Sequence, residues 1–296
     1  MILTFPQPKT TTASPRNDAR DLLLALLHGD LQPEALSEAE ADAVLTEAAL
    51  QGVEAQLWSR WKHRSVRPAW STRLADRVRL QTQWELSHSF AIIDLLGRFA
   101  HHGIDALILK GTALAYEVYP QPADRIRGDT DLLIAEADRG RADAILREAG
   151  FGSTTPMARV TTGQTQLNYV RIDRGGARQC VDLHWAPINS PLLDRVWSYA
   201  DLRSRAVALP ALSAQARTLC RVDGYLHACL HWAINRHVPY HFGGTTRLGG
   251  DRLIWLHDLY SLARSLTTSE RAELYRRARE RGIAGLCRKA SVSAAR

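Results

Sequence analysis

The chain has 296 residues, 45% of them hydrophobic, and a net charge of +7 at pH 7. That length supports one large or two small domains with a real core, and the basic balance suits an anionic substrate such as a nucleotide or nucleic acid. No apolar run approaches the roughly 18 residues needed to cross a bilayer, and Cys180, Cys220, Cys229 and Cys287 form no Cys-x-x-Cys pair, which excludes a membrane span, a zinc ribbon and a disulfide framework and leaves reduced thiols in a cytoplasmic protein as the simplest account.

Residues 1–18 hold Thr, Pro and Ser without a signal-peptide apolar stretch and are expected to form a disordered leader. A helical region is expected over 19–102. Within it Asp21–His28 is leucine-rich, and Ser37-Glu38-Ala39-Glu40 is a capping box that opens a helix through about Gly52. The next helical stretch, Val53–Lys62, places Leu57, Trp58 and Trp61 on a core stripe. Pro68 interrupts, and a long amphipathic helix follows from about Ser71 to Phe99, ended by His102-Gly103.

Strand and helix alternate over 103–190, which points to an α/β (α+β) core with a small mixed sheet. Ala106–Leu109 is a short buried strand that turns through Lys110-Gly111-Thr112 into a helix at Ala113–Tyr119. Asp129-Thr130-Asp131-Leu132-Leu133-Ile134 is a second strand, and Glu136–Ala149 a helix with Gly150 at its C′ position. Phe151–Thr162 and Gln166–Ile172 are expected strands, the latter entering a turn at Asp173–Gly176, and Gln179–Trp185 is a further strand. Residues 191–296 are expected to be helical, from Ser213 to about Asn235 and from Leu253 to Leu266. Thr267-Thr268-Ser269-Glu270 then forms a second capping box before an Arg-rich helix to Arg281. The glycine-containing loop His237–Gly250 is open to two readings, a mobile flap near the site or a plain connector.

The chemistry gathers in 109–185. Side chains alternate along a strand, so Asp129 and Asp131 share one face while Leu132 and Ile134 take the other. Two carboxylates side by side repel each other, and a divalent cation relieves that repulsion, so the pair suggests a magnesium site. Asp182 and His184 share one face of Cys180-Val181-Asp182-Leu183-His184-Trp185, which adds a third carboxylate. Lys110-Gly111-Thr112 joins a strand to a helix start, an arrangement whose backbone N–H groups can donate to a phosphate. His227 and His231, four apart, have the spacing of a zinc pair, but no Glu stands beside His227 and a structural role is favoured.

The order of phosphate turn, Asp-x-Asp strand and later lone Asp resembles the nucleotidyltransferase superfamily, whose fold is that of the DNA polymerase beta palm. A closer resemblance is to the little-characterised bacterial nucleotidyltransferase family that opens with Leu-Lys-Gly. The matching residues are Leu109-Lys110-Gly111, Tyr119, Arg127, Asp129-Thr130-Asp131-Leu132-Leu133, Gly150-Phe151 and Val181-Asp182-Leu183-His184-Trp185, with a weaker match at Leu253–Leu259. It spans roughly residues 37 to 265. Many active superfamily members carry Gly-Ser where this chain has Gly111-Thr112, a change that keeps the hydroxyl.

The resemblance implies a nucleotidyltransferase core at 103–190 that moves a nucleoside monophosphate from an NTP to a hydroxyl-bearing acceptor and releases pyrophosphate. Asp129, Asp131 and Asp182 would bind two Mg²⁺ ions and act in catalysis. Lys110, Gly111, Thr112 and Arg127 would hold the nucleotide phosphates, and His184 would orient Asp182, touch the acceptor, or be a structural histidine. ATP is the default donor by abundance alone. The acceptor is open among small molecule, peptide, protein and RNA, and a membrane partner is not expected. The alternative is a non-catalytic nucleotide- or partner-binding protein on the same fold.

Overall fold

The computed structural model describes residues 15–64, 67–161, 163–190, 193, 196–242, 245–247 and 249–295. Residues 1–14 of the expected leader lie outside the described residues, while Pro15 already opens a helix. The chain divides into two compact units, 1–77 and 78–296.

The first unit is helical: α1 (Pro15–His28), α2 (Glu38–Gln51), α3 (Glu54–Trp61) and the first turns of α4 (Ser71–His101). The capping box forms as expected. Ser37 N–H donates to Glu40 Oε2 at 2.9 Å, and Glu40 N–H donates to Ser37 Oγ at 3.3 Å. Two of the four amide donors left unpaired at a helix start are thereby satisfied. Leu57 and Trp61 are buried, whereas Trp58 is half-buried with Arg67 over its ring.

The second unit begins inside α4, so the latter part of that helix belongs with the sheet. Then follow β1 (Leu107–Leu109), α5 (Lys110–Glu117), β2 (Thr130–Leu133), α6 (Arg139–Glu148), β3 (Gln166–Ile172), β4 (Arg178–His184), α7 (Tyr199–Ser204), β5 (Val207–Ala208), β6 (Arg217–Thr218) and α8 (Arg221–Asn235). A hairpin of β7 (Tyr240–Phe242) and β8 (Thr245–Arg247) precedes α9 (Leu253–Ser265), α10 (Thr268–Glu280) and α11 (Ala284–Ala294). The loop His237–Gly250, open to a flap or a connector reading, contains this hairpin, and its residues 243, 244 and 248 lie outside the described residues. No described helix is long and apolar enough to cross a membrane.

Strands β1 to β6 form one mixed sheet in the order β3-β4-β2-β1-β6-β5. β2 lies parallel to β4 and antiparallel to β1, and β1 lies parallel to β6. One face packs Leu132, Ile134, Val181 and Leu183 against Ile92, Leu95 and Phe99 of α4 and Ile145 and Leu146 of α6. These side chains are at most 4% exposed, and each fully buried aliphatic or aromatic contributes about 1.5–3 kcal/mol.

Three expectations are corrected. Phe151–Thr162 is not a strand, since Gly152 makes one isolated bridge to Val170 and Met157–Arg159 is a 3₁₀ turn behind Pro156. The helix expected from Ser213 starts at Arg221, because Arg217–Thr218 is taken into the sheet beside β1. The core also exceeds 103–190, with α4 on one side of it in sequence and β5 and β6 on the other.

Candidate active site

Register brings the carboxylates together. Leu109 pairs with Asp131, Asp131 with Asp182, and Asp182 with Asn168, one row across four strands. Asp131 and Asp182 therefore stand side by side on the face opposite Leu132 and Leu183, and His184 follows two residues along that face. Asp131, Asp182 and His184 each offer a ligand atom within 4.8 Å of the others. Asn168 Nδ2 donates to Asp182 Oδ1 at 2.6 Å. Sequence reasoning did not single out Asn168, although the alternation of Leu167 and Tyr169 toward the core already placed it on the acidic face.

Two side-chain nitrogens converge on one oxygen of Asp131. Lys110 Nζ donates to Oδ1 at 2.5 Å, and His184 Nε2 lies 2.9 Å from the same atom. His184 thus lies against Asp131, so of the three uses open to it from sequence, orienting Asp182 is not the one its contact shows. Its Nδ1 is buried without a hydrogen-bond partner among the described residues. Burial pushes the Asp131 carboxyl up, but Lys110 and His184 outweigh it and hold the group well below the usual carboxylate range. Asp129 is half-buried just before β2. Burial and the charges of Asp131 and Asp182 push its carboxyl up to about 7, against the pull of Lys110 and Arg125.

The β1–α5 turn is made by Lys110, a non-glycine residue with φ of +52°. This left-handed conformation is uncommon for a residue with a Cβ. Leu109 before it is extended, at φ −114° and ψ 168°, so the chain reverses at once and α5 starts beside Asp131. A Cβ on Gly111 would meet Arg127 Cδ at 3.4 Å, ordinary contact, so packing does not demand this glycine. An approaching anion remains a reason for it.

Thr112 and Arg127, expected on the nucleotide phosphates, are committed elsewhere. Thr112 is 2% exposed, and its hydroxyl lies 2.8 Å from Thr130 Oγ1 and accepts from Arg127 Nε at 2.9 Å. The Arg127 side chain is 3% exposed and pairs with Glu85 at 2.6 Å, which in turn accepts from Tyr116 Oη. Thr130, between the two aspartates, also meets His88 Nε2 at 2.8 Å, and His88 Nδ1 meets Gln179 Oε1 at 2.7 Å. One proton order satisfies the chain: Arg127 donates to Thr112, Thr112 to Thr130, Thr130 to His88, and His88 to Gln179. Burial, offset in part by Gln179, pushes His88 down to about 4, which keeps it the neutral imidazole this order requires. The strand that carries the carboxylates is thus tied to α4 by a buried polar network.

A cleft beside Lys110 and Gly111 is lined by Glu117, His227, His231, Trp255 and Asp258. Its free volume is ≈ 30 Å³, room for little more than water. His227 Nε2 lies 3.0 Å from the carbonyl of Pro187 and His231 stacks edge-on with Trp255, structural uses for both histidines. Tyr119 and Asp258 meet beneath this cleft: Tyr119 Oη donates to Asp258 Oδ1 at 2.6 Å, and Arg125 binds both carboxylate oxygens.

The donor set fits a divalent cation. Crowded carboxylates that raise one another's proton affinity are relieved by such an ion, and oxygen donors suit Mg²⁺ while the imidazole widens the range toward Mn²⁺. The model of an uncharacterised nucleotidyltransferase family matches residues 37–296. Among curated proteins no relative matches. The antibiotic-resistance factor ANT(2'')-Ia is a solved structure similar to this one at 13% identity and a TM-score of 0.43, covering 67% of this chain and 95% of its own. An antigenic nucleotidyltransferase-like protein from Paracoccidioides brasiliensis is similar at 15% identity and a TM-score of 0.36, with 70% of this chain and 92% of its own covered. At these scores the assignment rests on the family match.

Proposed function

Because the chain belongs to this uncharacterised nucleotidyltransferase family, we propose that it transfers a nucleoside monophosphate from an NTP to a hydroxyl-bearing acceptor, in a Mg²⁺-dependent reaction that releases pyrophosphate. The observation that carries this reading is the convergence of Asp131, Asp182 and His184 within 4.8 Å, with Asp129 beside them. Asp129, Asp131 and Asp182 would hold Mg²⁺. When bound, the metal supplies Lewis-acid stabilisation of charge on the phosphoryl oxygens.

The chain's own residues account for the rest. Asn168 fixes one oxygen of Asp182, leaving the other to orient the acceptor hydroxyl and take its proton as the oxygen attacks the α-phosphorus. The bond to the bridging oxygen breaks and pyrophosphate departs. Gly111 leaves room for a phosphate at the start of α5, and Lys110 carries the positive charge nearest to it. His184 holds Asp131 in place. Thr112 and Arg127 act from behind by fixing Thr130. The net charge of +7 favours an anionic substrate, with ATP the default donor and the acceptor a small molecule, peptide, protein or RNA. Four free thiols support a cytoplasmic setting.

The test is incubation with each α-labelled NTP and Mg²⁺ or Mn²⁺, with and without cell extract, for wild type and Asp129→Asn. Label passing to an extract component in wild type, and at least about 100-fold less in the variant, is expected. Equal metal-dependent NTP binding by both proteins without transfer would replace this reading with that of a nucleotide-binding protein.

A further inference from the structure

We infer that Lys110 is the resident counter-cation of the carboxylate cluster, which a divalent metal must displace from Asp131, so that this lysine sets the metal affinity of the site. The inference rests on the proposed function and adds a control that the reading does not contain. Its basis is geometric. Lys110 Nζ is 2.5 Å from Asp131 Oδ1, with the two side chains 24% and 9% exposed. The left-handed turn at Lys110 places the root of the side chain one residue past the Leu109–Asp131 pair, directly beside its target. His184 already lies against the same oxygen. Oδ1 is thereby filled by two nitrogens, and a dication held by Oδ2 would stand at short range from the ammonium, whose like charge repels it.

Metal loading therefore requires the ammonium to leave, and a triphosphate is the anion that gives it a new partner. Nucleotide and metal then favour each other's binding, and by linkage the coupling is reciprocal. Metal alone binds weakly, because it must break the pair without that compensation.

Two measurements test this. Mn²⁺ is titrated into wild type, Lys110→Met and Lys110→Gln, with unbound Mn²⁺ read by electron paramagnetic resonance. The neutral variants should bind Mn²⁺ about tenfold more tightly or better, since both the competitor and the repelling charge are gone. Without metal they should melt lower than wild type, and Mn²⁺ should restore more of their melting temperature than it adds to wild type. Should both variants fail to fold, the second measurement decides on wild type alone. Acylation of Lys110 is quantified by mass spectrometry against the exposed Lys62 and Lys289 as internal references. Mn²⁺ should raise Lys110 labelling severalfold and leave the references unchanged.

Tighter Mn²⁺ binding by the variants than by wild type, with Lys110 labelling in wild type raised by Mn²⁺, would support the inference. Equal or weaker binding by the variants, or Lys110 labelling that Mn²⁺ does not raise, would overturn it while leaving the transferase reading in place. Absence of binding by every folded form would overturn both.

Discussion

Removing Asp258 should unfold the second unit far more readily than removing a surface acid. Asp258 is 4% exposed and Arg125 7%. Asp258 accepts from Tyr119 Oη at 2.6 Å, from Arg125 Nε at 2.8 and 3.1 Å, and from Arg125 Nη2 at 2.7 Å. Asp258→Ala leaves the guanidinium buried without its counter-charge, and breaking such a pair from one side costs about 3–5 kcal/mol. With a urea slope of about 3 kcal/mol per molar, the midpoint should fall by about 1–1.7 M. Circular dichroism during urea unfolding reads this directly. Asp94→Ala is the control, because Arg98 and Asp94 are 44% and 50% exposed and such pairs contribute about 0–1 kcal/mol. The double variant Arg125→Met/Asp258→Ala removes both charges and should recover at least about 2 kcal/mol over Asp258→Ala alone. A loss below about 1 kcal/mol for Asp258→Ala, or a double variant as unstable as the two single losses together, would refute the reasoning.

Two further outcomes concern pH. Burial pushes the Glu117 carboxyl up to about 7 against the opposing charge of Arg221, so the folded state binds this proton more tightly than the unfolded chain does. Stability is then fully present below the unfolded value near 4.5 and is lost as pH rises through about 7. Glu117→Gln should flatten this slope and make the protein about 2 kcal/mol more stable than wild type above pH 7, read as urea midpoints at pH 5 and pH 8. His88 has the opposite sign. Its folded value is depressed from 6.5 to about 4, so its contribution is present above 6.5 and is lost as pH falls toward 4. His88→Leu should cost about 1–3 kcal/mol at pH 7, from the unpaired Gln179 and the altered Thr130, and should lose less than wild type between pH 6.5 and 4. Parallel melting curves for the two proteins over that range would contradict it.

The face of each site residue was legible from local alternation. Val181 and Leu183 against Asp182 and His184 is a period-2 pattern, and the strand keeps it because one face is covered by α4 and α6. The capping boxes at Ser37 and Thr267 were equally legible, since the bond pattern is local. Pairings set by distant chain segments were not. Nothing near His184 says that it will meet Asp131 across the β2–β4 register instead of Asp182. Nothing near Arg127 announces Glu85, forty-two residues upstream, as the partner that draws it away from a phosphate. The two-residue strand Arg217–Thr218 was hidden for the same reason, because a segment that short is selected by the strand it joins.

That short strand bears on how the protein is made. Thr218 Oγ1 donates to the carbonyl of Ile108 at 2.9 Å, and Thr218 is the register partner of Ile108. During synthesis one edge of β1 therefore stays open while more than a hundred further residues emerge from the ribosome. Leu107, Ile108 and Leu109 are each 0% exposed once folded, so the waiting edge is apolar, and open apolar edges recruit other chains. A chain ending at 190 would contain every candidate metal ligand and still present that edge. The acidic site can form early, but protection from edge-to-edge association arrives only with residues 217 and 218.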